Sequence, residues 1–274
     1  MKSLLVVVLL ESRLKISMNK IIVEENASLD LSILDSKLSF IVSKNESSLY
    51  LHNLKSDNAL SFEVLENSVL YLSIFSDKAL ENCKITANLR KNSKIIVYFA
   101  DFSVCKNKLD ATINLNDEGA ICEWHLASLS SNNDNKDIVV NIYHNHPSTF
   151  GRIDNYGVCK DKGQLTFSGI SYINKGCHLS KSHQNAKIVV FDNECVAKAK
   201  PILKIDENDI EASHAASVGK VSDEHIFYLT SRGLNLEEAK MLITLGYLKP
   251  ILKGFNDSIQ NEIDSLIERR LSNV

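Results

Sequence analysis

The feature that most limits how this chain can fold is a recurring unit, a short polar turn followed by a strand of alternating apolar residues. Four copies read Glu25-Asn-Ala-Ser-Leu-Asp-Leu31, Asn45-Glu-Ser-Ser-Leu-Tyr-Leu51, Glu66-Asn-Ser-Val-Leu-Tyr-Leu72 and Lys91-Asn-Ser-Lys-Ile-Ile-Val97. Their first apolar positions, Leu29, Leu49, Leu70 and Ile95, lie 20, 21 and 25 residues apart. The pattern returns in Lys162-Gly-Gln-Leu-Thr-Phe167 and Asn185-Ala-Lys-Ile-Val-Val190, where Leu165 and Ile188 are 23 apart. A period of two in β-branched and aromatic residues predicts strands with one face inward, and Asn, Ser, Gly and Asp supply the corners. A coil of roughly 20 to 25 residues, made of several short strands and no helix, predicts a mainly-β solenoid whose coils stack in parallel. A β-sandwich also spaces strands between turn signals, but near-identical units favour stacking.

Composition narrows the function classes. The 274 residues are 44% hydrophobic and 24% charged, which suits a globular chain and argues against disorder. Thirty-one basic against 34 acidic residues leave a net charge of −3, so nucleic acid is not an expected partner. The apolar run Leu4 to Leu10 is too short to span a bilayer and runs into Glu11, Arg13 and Lys15 without a small-residue cleavage site. It is expected to be an early strand, or to precede a true start at Met18, and the protein is expected in the cytoplasm with no membrane partner. The six cysteines, Cys83, Cys105, Cys122, Cys159, Cys177 and Cys195, form no CxxC, so most are expected to be small buried thiols. No G-x-x-x-x-G-K-[ST] sequence is present, so any ATP binding belongs to a partner.

After about residue 220 the pattern becomes helical. Ser222 with Asp223 and Glu224 reads as a helix start, and Arg232-Gly233 as its end. Asn235 with Glu238 offers a second cap, followed by Ala239, Leu242, Ile243 and Tyr247 at helical spacing up to Lys249-Pro250. A last amphipathic helix uses Ile259, Ile263, Leu266, Ile267 and Leu271, leaving Glu262, Asp264, Glu268 and Arg269 for solvent. The division expected is residues 1–220 as a β-helix core and 221–274 as a small C-terminal helical domain.

The join reads Lys200-Pro-Ile-Leu-Lys-Ile205, then Ser213-His-Ala-Ala-Ser-Val-Gly219, then Phe227-Tyr-Leu-Thr-Ser-Arg-Gly233. This resembles the SufB/SufD family of iron–sulfur cluster assembly proteins, the SufD branch most, whose hallmark is KP-x-L-x-I, S-H-[GA]-A-[TS]-V-G and F-Y-L-x-S-R-G. Phe167-Ser-Gly-Ile170, Gly176 and Gln184 fall at matching intervals upstream. The resemblance implies a right-handed parallel β-helix with a C-terminal helical domain, acting as a non-catalytic scaffold subunit. It implies pairing with a SufB-type subunit through the β-helix and docking of a SufC-type ABC ATPase through the C-terminal helices. Phe227, Tyr228, Arg232 and Gly233 are then partner-binding residues. A nascent iron–sulfur cluster would pass transiently through a subunit interface, built on sulfur from a cysteine desulfurase system, with reduced flavin an open option for the complex. Longer members carry a helical region before the β-helix, whereas here the first repeat begins by residue 25.

The resemblance further implies two residues as metal ligands. His214 occupies the histidine of the S-H-A-A element, and a neutral imidazole ligates borderline iron. Cys195 lies six positions before Pro201, where SufB-type subunits carry a cysteine, and Lys198 and Lys200 are expected to lower its thiol pKa. His144 and His146 share a predicted strand face but are too few to hold a metal, and are expected to be solvated or turn-forming. Two other functions remain open at this level: a β-helix enzyme that modifies polysaccharides, and a SufB-like scaffold that holds a cluster itself.

Overall fold

The computed structural model describes residues 15–17, 20–43 and 45–271; the apolar run at 4–10 and Met18 lie outside them. The described residues form seventeen strands in two sheets, alternating from the second strand on, and every pairing is parallel except that of the first strand with the second. Sheet A stacks β1 (Lys15–Ser17), β2 (Lys20–Val23), β4 (Lys37–Val42), β6 (Asn58–Val64), β8 (Asn82–Leu89), β10 (Lys106–Leu115), β12 (Asn135–His144), β14 (Gln164–Ile173) and β16 (Val196–Ile205). Sheet B stacks β3 (Ala27–Asp30), β5 (Ser47–His52), β7 (Val69–Ser76), β9 (Lys94–Asp101), β11 (Ile121–Ser130), β13 (Phe150–Cys159), β15 (Ser180–Val190) and β17 (Ile210–Lys220). This is a parallel β-solenoid, and the sandwich reading falls. Each coil has two strands rather than several short ones.

The ladders correct the repeat alignment. Leu70 stacks on Ser47 and Ile95 on Leu70, but Leu49 stacks on Leu72 and Leu29 on Leu51. The copies share a face, yet two of the three steps slip by one inward position. Leu165 and Ile188 are not equivalent at all, since one lies in sheet A and the other in sheet B. Coils also lengthen along the stack. Register partners in sheet B are 25 residues apart from Val69 to Lys94, 27 from Lys94 to Ile121, 29 from Ile121 to Phe150 and 31 from Phe150 to Lys181.

The core is the space between the sheets. One inward column of sheet B runs Leu49, Leu72, Val97, Trp124, Ile153, Gln184 and His214, apolar until its last two members. Phe40 and Phe62 stack in the facing sheet at 4.8 Å between ring centroids. Each such side chain, fully buried, contributes about 1.5–3 kcal/mol. Corners use residues that tolerate a left-handed backbone. Asn67, Asn92, Asn132 and Asp161 all have positive φ. Asparagines also bridge successive coils, as from Asn145 Nδ2 to Asn116 Oδ1 (3.0 Å) and from Asn174 Nδ2 to Asn145 Oδ1 (3.1 Å).

The helices form where the caps predict. Ser222 caps α1 (Asp223–Ser231), which ends at Arg232 with Gly233 at φ +97°, and Asn235 with Glu238 makes a full capping box on α2 (Leu236–Leu248). A 3₁₀ segment, Lys249–Gly254, leads to α3 (Asp257–Leu271). A second apolar cluster joins this region to the outer face of sheet B. Phe75, Ala100, Phe102, Leu129 and Val158 meet Leu248, Leu252, Phe255, Ile263 and Ile267. Arg270 was not among the residues expected to matter. It lies three positions after Ile267 on the buried face of α3, where it donates to Asp134, to Ser131 Oγ (2.8 Å) and to Phe102 O (2.9 Å). Asp264, expected in solvent, pairs with Lys249 at 2.9 Å.

Candidate functional site

The last coil, β16 and β17, ends the stack among the described residues, so one edge of each strand faces no neighbour. Every residue from Ser213 to Lys220 is exposed. An unpaired strand edge is a row of free N–H and C=O groups ready to pair with another chain. The two edges differ in chemistry. The outer face of β16 carries Lys198, Lys200 and Lys204, the last lying 4.8 Å over the Tyr172 ring. From Ser213 to Gly219, β17 offers only Ser, His, Ala, Val and Gly.

His214 lies in register with Gln184 and so shares its inward-directed face at the open end. Gln184 is buried; its Nε2 donates to Ser171 Oγ (2.7 Å) and to Ile202 O (3.1 Å), while its Oε1 has no partner. Ser182, in register with Ala212 of β17, likewise buries an unpartnered hydroxyl. His214 is therefore an exposed imidazole set above a polar end of the interior. On the outer face, Ser213 Oγ is 2.8 Å from His183 Nδ1, and Glu211 pairs with Lys181 at 2.8 Å. A cavity of about 300 Å³ lies where β17 meets α1 and α2, bordered by Lys187, Lys220, His225 and Tyr247.

Cys195 sits in the corner between β15 and β16, half-buried, with its Sγ 3.4 Å from Asp161 O. Burial pushes its thiol pKa up, and the neighbouring Asp192 and Asp161 push the same way. The expectation that lysines would lower it is wrong, because Lys198 and Lys200 project from the outer face of β16. Cys195 and His214 are not brought together within the chain. The corner meets the Lys220 end of β17, where Lys220 Nζ contacts Asn193, and His214 is six residues back, about 20 Å along the strand. No group of three or more His, Cys, Asp or Glu is placed to hold a metal among the described residues.

The four motif residues of the helical region lie on and just after α1, which buries no residue of its own. Phe227 is 73% and Tyr228 56% exposed. The Arg232 guanidinium stacks 5.2 Å from the centre of the Tyr228 ring, and Gly233 makes the left-handed turn into α2.

The two histidines do not share a strand face, and only His146 meets the expectation of a solvated or turn-forming residue. His144 is fully buried at the end of β12, its Nδ1 2.7 Å from Thr149 Oγ1, and burial pushes its pKa down to about 4. His146 lies beyond the strand, in the turn. Cys83, Cys122, Cys159 and Cys177 are buried as expected, whereas Cys105 is exposed. Two further features escaped the sequence. Lys136 and Asp101 form a buried ion pair at 3.0 Å, with Ser103, Asn107 and Ser128 completing the carboxylate's partners. Cys159 and Cys195 also fall in one corner, where each thiol donates to a carbonyl of the 161–163 turn, an approach that depends on the lengths of the late coils, which no local pattern encodes.

Comparison with known proteins fits this architecture. Residues 7–247 match the family described as SUF system FeS cluster assembly, SufBD core domain. The chain is 31% identical over 161 residues to the iron-sulfur cluster assembly protein SufD of Bacillus subtilis, covering 58% of this chain and 37% of that protein. It is 29% identical over 154 residues to SufB of the same organism, covering 56% and 33%. To the iron-sulfur cluster assembly SufBD family protein Rv1461 of Mycobacterium tuberculosis it is 31% identical over 136 residues, covering 50% and 16%. The matched stretch thus spans little more than a third, or less, of these relatives, and SufD and SufB are matched almost equally.

Proposed function

Because the chain belongs to the SufBD core family of the SUF iron–sulfur cluster assembly system, we propose that it is a scaffold subunit of that system, which pairs through its last coil with a SufB-type sister subunit. The observation that carries this reading is the bare β17 edge, exposed from Ser213 to Lys220 and carrying His214. A sister strand laid along that edge would satisfy its free backbone groups and cover His214. The neutral imidazole would then be one ligand to iron of the cluster under construction, with thiolate or carboxylate ligands from the partner. A SufC-type ABC ATPase would dock on α1, whose exposed Phe227 and Tyr228 have the aromatic character of interface anchors. ATP hydrolysis is then the partner's chemistry, and any reduced flavin is held by the complex. Six free cysteines suit a reducing cytoplasm.

A second reading is favoured by Cys195, which stands where SufB-type chains carry cysteine, and by near-equal identity to SufB and SufD. In that reading the chain holds cluster iron itself. The polysaccharide-modifying reading has no support once the family is known. Co-expression with SufB- and SufC-type proteins tests the main reading. The intact complex should purify with iron and sulfide, and His214→Ala should keep the complex but lose most of its cluster. Unchanged cluster content in that variant would refute the ligand role. Iron and sulfide retained by the isolated chain after anaerobic reconstitution would favour the second reading.

A further inference from the structure

Cys159 and Cys195 meet across a corner of the solenoid. Cys159 is the last residue of β13 and fully buried, and its thiol donates to Gly163 O at 3.0 Å. Cys195 follows β15 and its thiol donates to Asp161 O at 3.4 Å, in the same corner, where the two thiols are close enough to influence each other. The backbone holds them there. The turn after Cys159 passes through Asp161 at φ +58° to Gly163, where a Cβ would stand 2.6 Å from Ser130 O, so only glycine fits. Gly163 O also accepts from Val196 N (3.0 Å), and Asp192 O from Cys195 N (3.3 Å), which seats the second cysteine against the first. A disulfide needs the two Cβ atoms about 3.5–4.5 Å apart, and this corner is where the chain brings the two thiols together.

We propose that Cys159 and Cys195 form a dithiol–disulfide couple, a two-electron redox site whose co-reactant is a small-molecule disulfide. Cys195 is the entry thiol because it is half-buried while Cys159 is sealed. It loses its proton to solvent and attacks one sulfur of the reagent, whose other sulfur leaves as thiolate with the bonding pair. Cys159 then gives up its proton and attacks Cys195 Sγ, displacing the second reagent thiolate. One protein disulfide forms, the reagent disulfide is reduced to two thiols, and these take up the two protons. Resting on the proposed function, the consequence is regulatory: the oxidised form has no Cys195 thiolate to offer iron or sulfur.

The test uses the full isolated chain, with no partner and no cluster, so its outcome is separate from that of the assembly experiment. The reduced protein is incubated with glutathione disulfide, free thiols are alkylated, and the digest is mapped by mass spectrometry. The expected product is a cross-linked pair of peptides carrying Cys159 and Cys195, reversed by dithiothreitol, with the glutathione adduct on exposed Cys105 as proof of reagent activity. Cys159→Ala should stop at a stable glutathione adduct on Cys195. The proposal is overturned if the wild-type chain accumulates that adduct without the cross-link, or leaves both thiols reduced while Cys105 reacts. Because the wild-type map alone decides, a poorly folding variant does not blunt the test.

Discussion

Sheet B carries a covered region and a bare one, and the contrast shows how one sheet can be sealed across its face yet left open at its end. From β7 to β13 its outer face is sealed by the 3₁₀ segment, α2 and α3 through an apolar cluster, with Arg270 reaching in to Asp134. At β17 the same sheet ends without a neighbouring strand, and from Ser213 to Gly219 its residues are exposed and include no Lys, Arg, Asp or Glu. The neighbouring edge, β16, is guarded by three lysines, the device by which natural sheets discourage edge pairing. A guarded edge beside an unguarded one is the difference on which the proposed pairing rests.

The largest effect is expected in the covered region. Asp134→Ala leaves the Arg270 guanidinium without its carboxylate in a nearly buried site, and should cost about 3 kcal/mol in urea unfolding. A loss smaller than about 1 kcal/mol would mean that the helices are not held by this ion pair.

A loss of similar size is expected on acidification through His144, inside the solenoid. Its pKa falls from 6.5 to about 4 on folding. The unfolded chain therefore takes up the proton first, so this histidine costs nothing above pH 6.5 and destabilises the fold as pH drops towards 4. The loss should total about 3 kcal/mol. His144→Asn should flatten that limb of the stability–pH curve; an unchanged slope would show that His144 does not generate it.

The third prediction moves to the bare region. Ala215→Lys on β17 should weaken binding of the sister subunit at least roughly tenfold, about 1.4 kcal/mol, while thermal stability stays near wild type. Ile202→Lys on the already basic β16 should do far less. Equal losses from both would erase the difference between the edges. The smallest effect is expected from Glu211→Gln, which removes the exposed pair with Lys181 beside β17 and should leave the urea midpoint unchanged.

What could be read from the sequence follows the same division. Alternating positions such as Leu70-Tyr71-Leu72 reveal strands because one face must be dry, and Ser222 and Asn235 reveal helix starts because their caps act within three residues. The bare edge itself could be located, since the motif around His214 coincides with the last strand. Features that depend on accumulated coil length could not. The slip between Leu49 and Leu70, the burial of His144 and the meeting of Cys159 with Cys195 all require knowing how many residues each coil spends on its corners. Arg270 was within reach: its spacing from Ile267 puts it on the buried face of α3. A charge there demands a partner, which the solenoid provides in Asp134.

Hydrogen–deuterium exchange on the chain alone, and on the chain bound to a SufB-type subunit, tests the central claim most directly. The account predicts that amides between Ser213 and Gly219 become strongly protected on binding while those of β12 and β14 are unchanged. Equal exchange at β17 in both states, with protection confined to another surface, would contradict it.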